Sequence, residues 1–159
     1  MGEYDKALNY ANRALKIAEK LGDNSKITGC LDCIGIIYYR MDNCKKTVEY
    51  IEKSISIYNK NKEGINLLLP NITFLYLAYK NLGKAYDKKK LQILIKNKKR
   101  KIVFDLNFGI FQLLEDTSYL ETAYNQVQEK ADNLEPDVAA KFLSYPIPSA
   151  IVEEWEKVK

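Results

Sequence analysis

The 159-residue chain contains no histidine. That removes Ser-His-Asp and Cys-His relays, and every zinc site built on imidazole. Its seven glycines are scattered. None forms GxGxxG or GxxxxGK, the loops whose backbone N–H groups cradle phosphates. No apolar run approaches the ~18 residues needed to cross a bilayer. The N-terminus is charged and amphipathic, without the continuous apolar stretch of a signal peptide. Three cysteines without export features imply reduced thiols and a cytoplasmic location. Paired acids such as Glu115-Asp116 and Glu153-Glu154 are sequence neighbours, which point ~100° apart on a helix and do not share a site. These absences argue against an enzyme and against any cofactor or metal.

Cys30-Leu-Asp-Cys33 is a CxxC. A redox pair needs a helix N-terminus to lower the thiol pKa, and this one falls about a turn inside a predicted helix. A zinc site wants four ligands, and only Cys44 remains. The preferred reading is two small, soft packing residues.

The stretch that organises the rest is Ile27–Tyr58. Leu31, Ile34, Gly35, Tyr38 and Met41 share one face of a helix. Asp42-Asn43 breaks the pattern as turn residues do. Val48, Ile51, Ile55 and Tyr58 then restore a helical stripe. Gly35 within an apolar face costs about 1 kcal/mol relative to Ala, and close approach of a second helix is the simplest compensation. Thr47 and Ser54 are small on the facing side. The unit recurs: residues 2–17 lie over 42–57 at an offset of 40, with Ala7 on Thr47, Ala14 on Ser54, and Leu15 and Ile17 on Ile55 and Ile57. Leu75 and Tyr79 follow Ile34 and Tyr38 by 41.

The spacing predicts helices over 4–21, 25–41 with Ser25 as N-cap, and 44–60. A loop is expected over 61–64 and a third unit from Ile65, with an irregular start at Pro70. Ile72, Leu75, Tyr76, Tyr79 and Leu82 form its stripe, and Gly83 ends it. Further helices are expected over 85–98, 102–115 and 119–134. In the 102–115 helix, Phe104, Phe108, Phe111 and Leu114 are expected to face inward. Pro136 should open a short helix at its first position. Tyr145-Pro-Ile-Pro148 should be extended, and Ser149 should cap a final helix carrying Ile151, Val152 and Trp155.

The Ile34-Gly35, Tyr38 and Ala7/Ala11/Ala14 pattern resembles the tetratricopeptide repeat, whose period is about 34 residues, in a longer variety. The stretch from Tyr119 to Trp155 resembles the tails of bacterial signalling proteins in which such arrays flank cyclase, kinase or ATPase domains. The resemblance implies an all-α solenoid of eight to nine helices, arranged as antiparallel pairs in a right-handed superhelix. Repeats would cover 1–134, with the first unit truncated and the third and fourth degenerate. Capping helices would cover 135–159. A piece of a larger protein is expected, with self-association through the uncapped N-terminal end.

In that family the first helix of each unit lines a concave channel for a partner's peptide. The corresponding positions are Asp32, Ile36, Tyr39, Arg40, Thr73, Leu77, Lys80 and Asn81. The implied function is non-catalytic protein or peptide binding.

A second feature is electrostatic. Residues 80–101 hold ten Lys or Arg and one acid, Asp87, against a net charge of +4 for the whole chain. The rest is therefore net acidic. Lys88, Lys89, Lys90, Lys98, Lys99, Arg100 and Lys101 form a basic patch that could attract nucleic acid or an anionic surface. The bland alternative is a solvated face. Arg is scarce in the run, which weakens specific base or phosphate recognition.

Overall fold

In a computed structural model, residues 2–61, 68–98 and 101–159 are described. They form nine helices: α1 Gly2–Leu21, α2 Asn24–Arg40, α3 Cys44–Asn61, α4 Leu68–Asn81, α5 Lys88–Lys96, α6 Phe104–Leu114, α7 Thr117–Asp132, α8 Pro136–Leu143 and α9 Pro146–Val158. No strand occurs among the described residues, so the chain is all-α. The chain divides into two compact units, Met1–Lys98 and Lys99–Lys159. Of the loop predicted over 61–64, Asn61 is instead the last residue of α3, and residues 62–64 and the start of the third unit at Ile65 lie outside the described residues.

Short side chains set the helix starts. Asp23, not Ser25, is the α2 N-cap: its carboxylate accepts from the Lys26 N–H at 3.0 Å. Asn43 does the same for Lys46 N–H ahead of α3, Asp87 for Lys90 N–H ahead of α5, and Asp116 for Ser118 N–H ahead of α7. Each satisfies a donor that the helix cannot. The cap at Asp87 also explains why α5 is shorter than expected.

In the first unit, α1 packs on α2, α2 on α3, α3 on α4 and α4 on α5, and α2 also touches α4. Helices α2 and α3 approach closely at Gly35. A Cβ there would lie 2.6 Å from Cγ1 of Ile51 and 3.5 Å from its backbone nitrogen. Thr47 and Ser54 are fully buried on the same face of α3. The Thr47 hydroxyl donates back to the Asn43 carbonyl at 3.1 Å, and the Ser54 hydroxyl reaches the Thr28 carbonyl of α2 at 3.4 Å. Their polar groups are thus satisfied, and their small size lets the backbones meet. Leu15, Leu31 and Ile34 form the core between α1 and α2, with Leu8, Ala11 and Ile27 against it. Ala14, expected between helices, is instead exposed.

The turns repeat with the sequence. Asn43 N–H donates to the Tyr38 carbonyl at 2.8 Å, and 41 residues later Lys84 N–H donates to the Tyr79 carbonyl at 2.8 Å. Met41 N–H to Ile37 and Leu82 N–H to Ala78 are both 3.0 Å. The residue inside each loop is left-handed: Asp42 at φ 59° and Gly83 at φ 68°. The six-to-one bond with a left-handed residue is the Schellman ending of a helix.

Helix α4 departs from a one-sided stripe. Every residue from Asn71 through Ala78 is buried. Leu69, Phe74, Leu77 and Ala78 add apolar surface outside the predicted stripe, and a helix apolar all round is an interior helix. Pro70 sits in its first turn, where its missing N–H removes no helical bond.

In the second unit, Leu120, Ala123, Val127, Ala131, Phe142 and Ile151 form the core, with Phe104, Phe108 and Phe111 packed on it. Leu106, Ile110 and Leu113 of α6 are buried more completely than the predicted phenylalanine face. Pro136 takes the first position of α8 as expected. The segment 145–148 is not extended beyond Tyr145, because α9 begins at Pro146. The first three N–H groups of a helix have no acceptor within it, so Pro146 and Pro148 cost no hydrogen bond there. Ser149 is consequently inside the helix, not its cap, and its hydroxyl bonds Glu153 at 2.7 Å. The Trp155 ring stacks on Tyr124 of α7 at 5.4 Å.

Candidate functional site

The eight residues expected to line a channel divide into three groups. Asp32, Ile36, Tyr39 and Arg40 are half-buried on α2. Lys80 and Asn81 are exposed at the end of α4. Thr73 and Leu77 are buried, and Thr73 donates its hydroxyl to the Leu69 carbonyl at 2.8 Å. These two do not form an open floor, because α4 is enclosed on more than one side.

The C-terminal ends of α2 and α4 come together. The Arg40 guanidinium lies 5.2 Å from the centre of the Phe74 ring, and Tyr39 packs on the same ring at 5.4 Å. Asn81 reaches back to the α2–α3 turn, with its amide nitrogen 3.6 Å from the Cys44 sulfur. The Asn81 amide also acts on the Tyr39 hydroxyl. Burial raises that phenol above its ordinary pKa, with Arg40 opposing the shift. Beside these residues is a hollow of ≈ 460 Å³ between the α2–α3 turn and Asn81-Leu82. The result is a small aromatic and cationic surface, held by ring contacts instead of by long flexible side chains.

Asp32 is the anomalous member. Burial raises its carboxyl above the usual range, while Ser54, Asn71 and Tyr58 oppose the shift. The Tyr58 hydroxyl donates to Oδ2 at 3.3 Å. Oδ1 and the Asn71 Nδ2 are both buried with no hydrogen-bond partner. A half-buried carboxylate with an orphan oxygen is costly. The sign of the pH effect follows. The folded state holds the Asp32 proton more tightly than the unfolded chain, so stability falls as pH rises from the ordinary carboxylate range through the raised value. Asp32→Asn is therefore expected to stabilise the fold at neutral pH by about 1 kcal/mol, with the gain fading in acid. Urea melts at pH 3 and pH 7 measure it. A loss of stability at neutral pH would contradict this account.

A larger hollow of ≈ 580 Å³ lies between α3, α4 and α5. Glu52, Lys60, Tyr76, Tyr79 and Lys90 are on its walls. The Tyr79 hydroxyl donates to Glu52, and its phenol is pushed up to about 12, first by burial and then by that carboxylate. Sequence spacing places Ile72, Leu75, Tyr76 and Tyr79 on one stripe but does not point to this hollow, because its remaining walls come from α3 and α5.

Of the basic set, Lys88, Lys89 and Lys90 are exposed in the first turn of α5. Helix N-termini disfavour cations, so the fold does not require lysine there. Lys98 is half-buried in the same unit. Lys101 belongs to the second unit and pairs with Glu129 at 3.9 Å. Lys99 and Arg100 lie outside the described residues.

Cys30 and Cys33 lie within α2, away from its N-terminus. Desolvation raises both thiols, the direction opposite to that of an activated cysteine. Cys33 is exposed, so it is not the packing residue expected. Among the described residues no three Cys, His, Asp or Glu side chains cluster as metal ligands. Among them, too, no helix is long and apolar enough to cross a membrane. No known protein family, curated protein or solved structure matches the chain.

Proposed function

We propose that this chain is a tetratricopeptide-like helical-repeat module that binds a peptide or protein segment and performs no chemistry itself. The observation that carries the reading is the repeated unit at residues 38–43 and 79–84. The same helix ending recurs 41 residues apart, and each copy leaves a polar or aromatic surface at its C-terminal end. Tyr39, Arg40, Lys80 and Asn81 supply the binding surface. Their aromatic and cationic chemistry suits an acidic segment. The arrangement as a right-handed solenoid, membership of a larger bacterial signalling protein and a cytoplasmic setting belong to the same proposal.

A pull-down from source-cell lysate at low and high salt tests it, beside a variant with Lys88, Lys89, Lys90, Lys98, Lys99, Arg100 and Lys101 changed to Gln. A protein retained by both forms at high salt is the expected result. A second reading rests on the exposed Lys88–Lys90 triplet at a helix end that gains nothing from it. There the chain would be an electrostatic adaptor for nucleic acid or an anionic surface. Retention by the parent alone, lost with salt, would favour that reading.

A further inference from the structure

We propose that the hollow between α3, α4 and α5 is a binding site for a small aromatic acid. The acid's rings would lie on the tyrosine-bearing face of α4, and its anionic group would be held by Lys60 and Lys90. The repeat explains why the hollow exists. Ile72, Leu75, Tyr76 and Tyr79 all line it, and they follow Leu31, Ile34, Gly35 and Tyr38 by 41 residues. On α2 that stripe is closed. Leu31 and Ile34 are fully buried, and α3 comes so near that a Cβ on Gly35 would lie 2.6 Å from Ile51. On α4 Tyr76 takes the glycine's place. A helix cannot approach a tyrosine as it approaches a glycine. The stripe that packs a helix in one repeat therefore borders a hollow of ≈ 580 Å³ in the next.

Size and lining select a small molecule. Sites for such ligands are clefts of ~300–1000 Å³ with largely apolar walls and a few polar groups that fix orientation. Ile55, Ile72 and Leu75 supply the apolar wall. Tyr76 stacks on Tyr79 at 6.1 Å and packs on Tyr86 at 5.5 Å, and aromatic rings favour a further ring as neighbour. The Tyr79 hydroxyl is held by Glu52. Burial first, and then that carboxylate, push its phenol up to about 12, so it stays neutral beside an anion. None of the residues proposed to bind a peptide lines this hollow.

Charge selects an acid. Glu52 is the one carboxylate among the lining residues, and the Tyr79 hydroxyl already engages it. Lys60 and Lys90 come from two different helices, and among the described residues neither is in an ion pair. Asp87 bonds the Lys90 backbone N–H and not its ammonium. Lys90 also stands in the first turn of α5, where the helix dipole disfavours a cation and favours an anion. An anion there interacts favourably with both the ammonium and the dipole. Lys84 adds positive charge nearby, with Nζ 5.5 Å from the Tyr79 ring centre.

Fluorescence titration of the full chain tests this with two probes. Anilinonaphthalene sulfonate is an aromatic acid, and N-phenylnaphthylamine has the same rings without the sulfonate. One saturable site is expected, with the sulfonate bound more tightly. Lys60→Gln with Lys90→Gln should weaken the sulfonate about tenfold and leave the neutral probe unchanged. Ser56→Phe, which fills the hollow from an exposed wall position, should abolish binding of both. Ala14→Phe, in the separate α1–α2 hollow of ≈ 560 Å³, should change neither. Helix content should match the parent in all three variants, because each substituted side chain is exposed. No saturable binding of the sulfonate overturns the proposal. Binding that survives Ser56→Phe, or is lost in Ala14→Phe, places the probe elsewhere and also overturns it. Equal effects of the lysine variant on both probes would overturn the anion contact, and with it the choice of an acid.

Discussion

Gly35→Leu is expected to abolish the stable packing of α2 on α3. A single Cβ at that position already falls 2.6 Å from Ile51, whose side chain is fully buried and branched next to the backbone. Overpacking of a filled core costs about 1–3 kcal/mol for a modest insertion, and a leucine adds three more carbons where even the first does not fit. Gly35→Ala should cost less, about 1–2 kcal/mol, because alanine returns about 1 kcal/mol of helix propensity. Gly29→Leu on the same helix is the control: open space surrounds its Cβ position. Denaturant melts followed by far-UV circular dichroism give all three values. A Gly35→Ala variant as stable as the parent would mean that the helices do not meet there.

Ile151→Ala should destabilise the second unit by about 2–5 kcal/mol, the range for removing a fully buried branched side chain. Ile151 is completely enclosed with Leu120, Val127 and Phe142. A unit as small as Lys99–Lys159 buries a limited core, so a loss of that size is a large part of what it has. The chain provides its own reporter. Trp155 is the single tryptophan, and it stacks on Tyr124 across the α7–α9 contact. Fluorescence should therefore show the melting midpoint falling sharply in Ile151→Ala. An unchanged midpoint would mean that α9 is an ornament on this unit and not part of its core.

The helices whose residues alternate between buried and solvated faces were legible in sequence. Leu31, Ile34 and Gly35 on α2 and Val48, Ile51 and Tyr58 on α3 are buried as their spacing required. The turns were legible too, because Asp42-Asn43 and Gly83 have few other uses. Helix α4 departs from its sequence pattern for a physical reason. Its apolar residues do not stop at one stripe, and Thr73 and Leu77 were assigned to a channel by period alone. Their neighbours Phe74 and Ala78 already indicated an enclosed helix. Proline restriction alone predicts an extended 145–148 segment, although a helix start tolerates both Pro146 and Pro148. The strain at Asp32 was not legible. It depends on one Asp32 oxygen being buried without a partner while Tyr58 from α3 bonds the other, an arrangement that no local pattern encodes. On α1 the apolar residues are plain in the sequence, but spacing alone sets Ala14 between helices, and it is exposed.

The most direct test of the binding role is the affinity of the immobilised chain for peptides selected from a random display library. Binding would be compared between the parent, an Arg40→Glu/Lys80→Glu variant, and a Lys88→Gln/Lys89→Gln/Lys90→Gln variant at low and high salt. The account predicts acidic peptides whose affinity falls about tenfold or more, roughly 1.4 kcal/mol, in the first variant and persists in the second. Failure to select any peptide, or equal binding by the parent and the Arg40→Glu/Lys80→Glu variant, would contradict it.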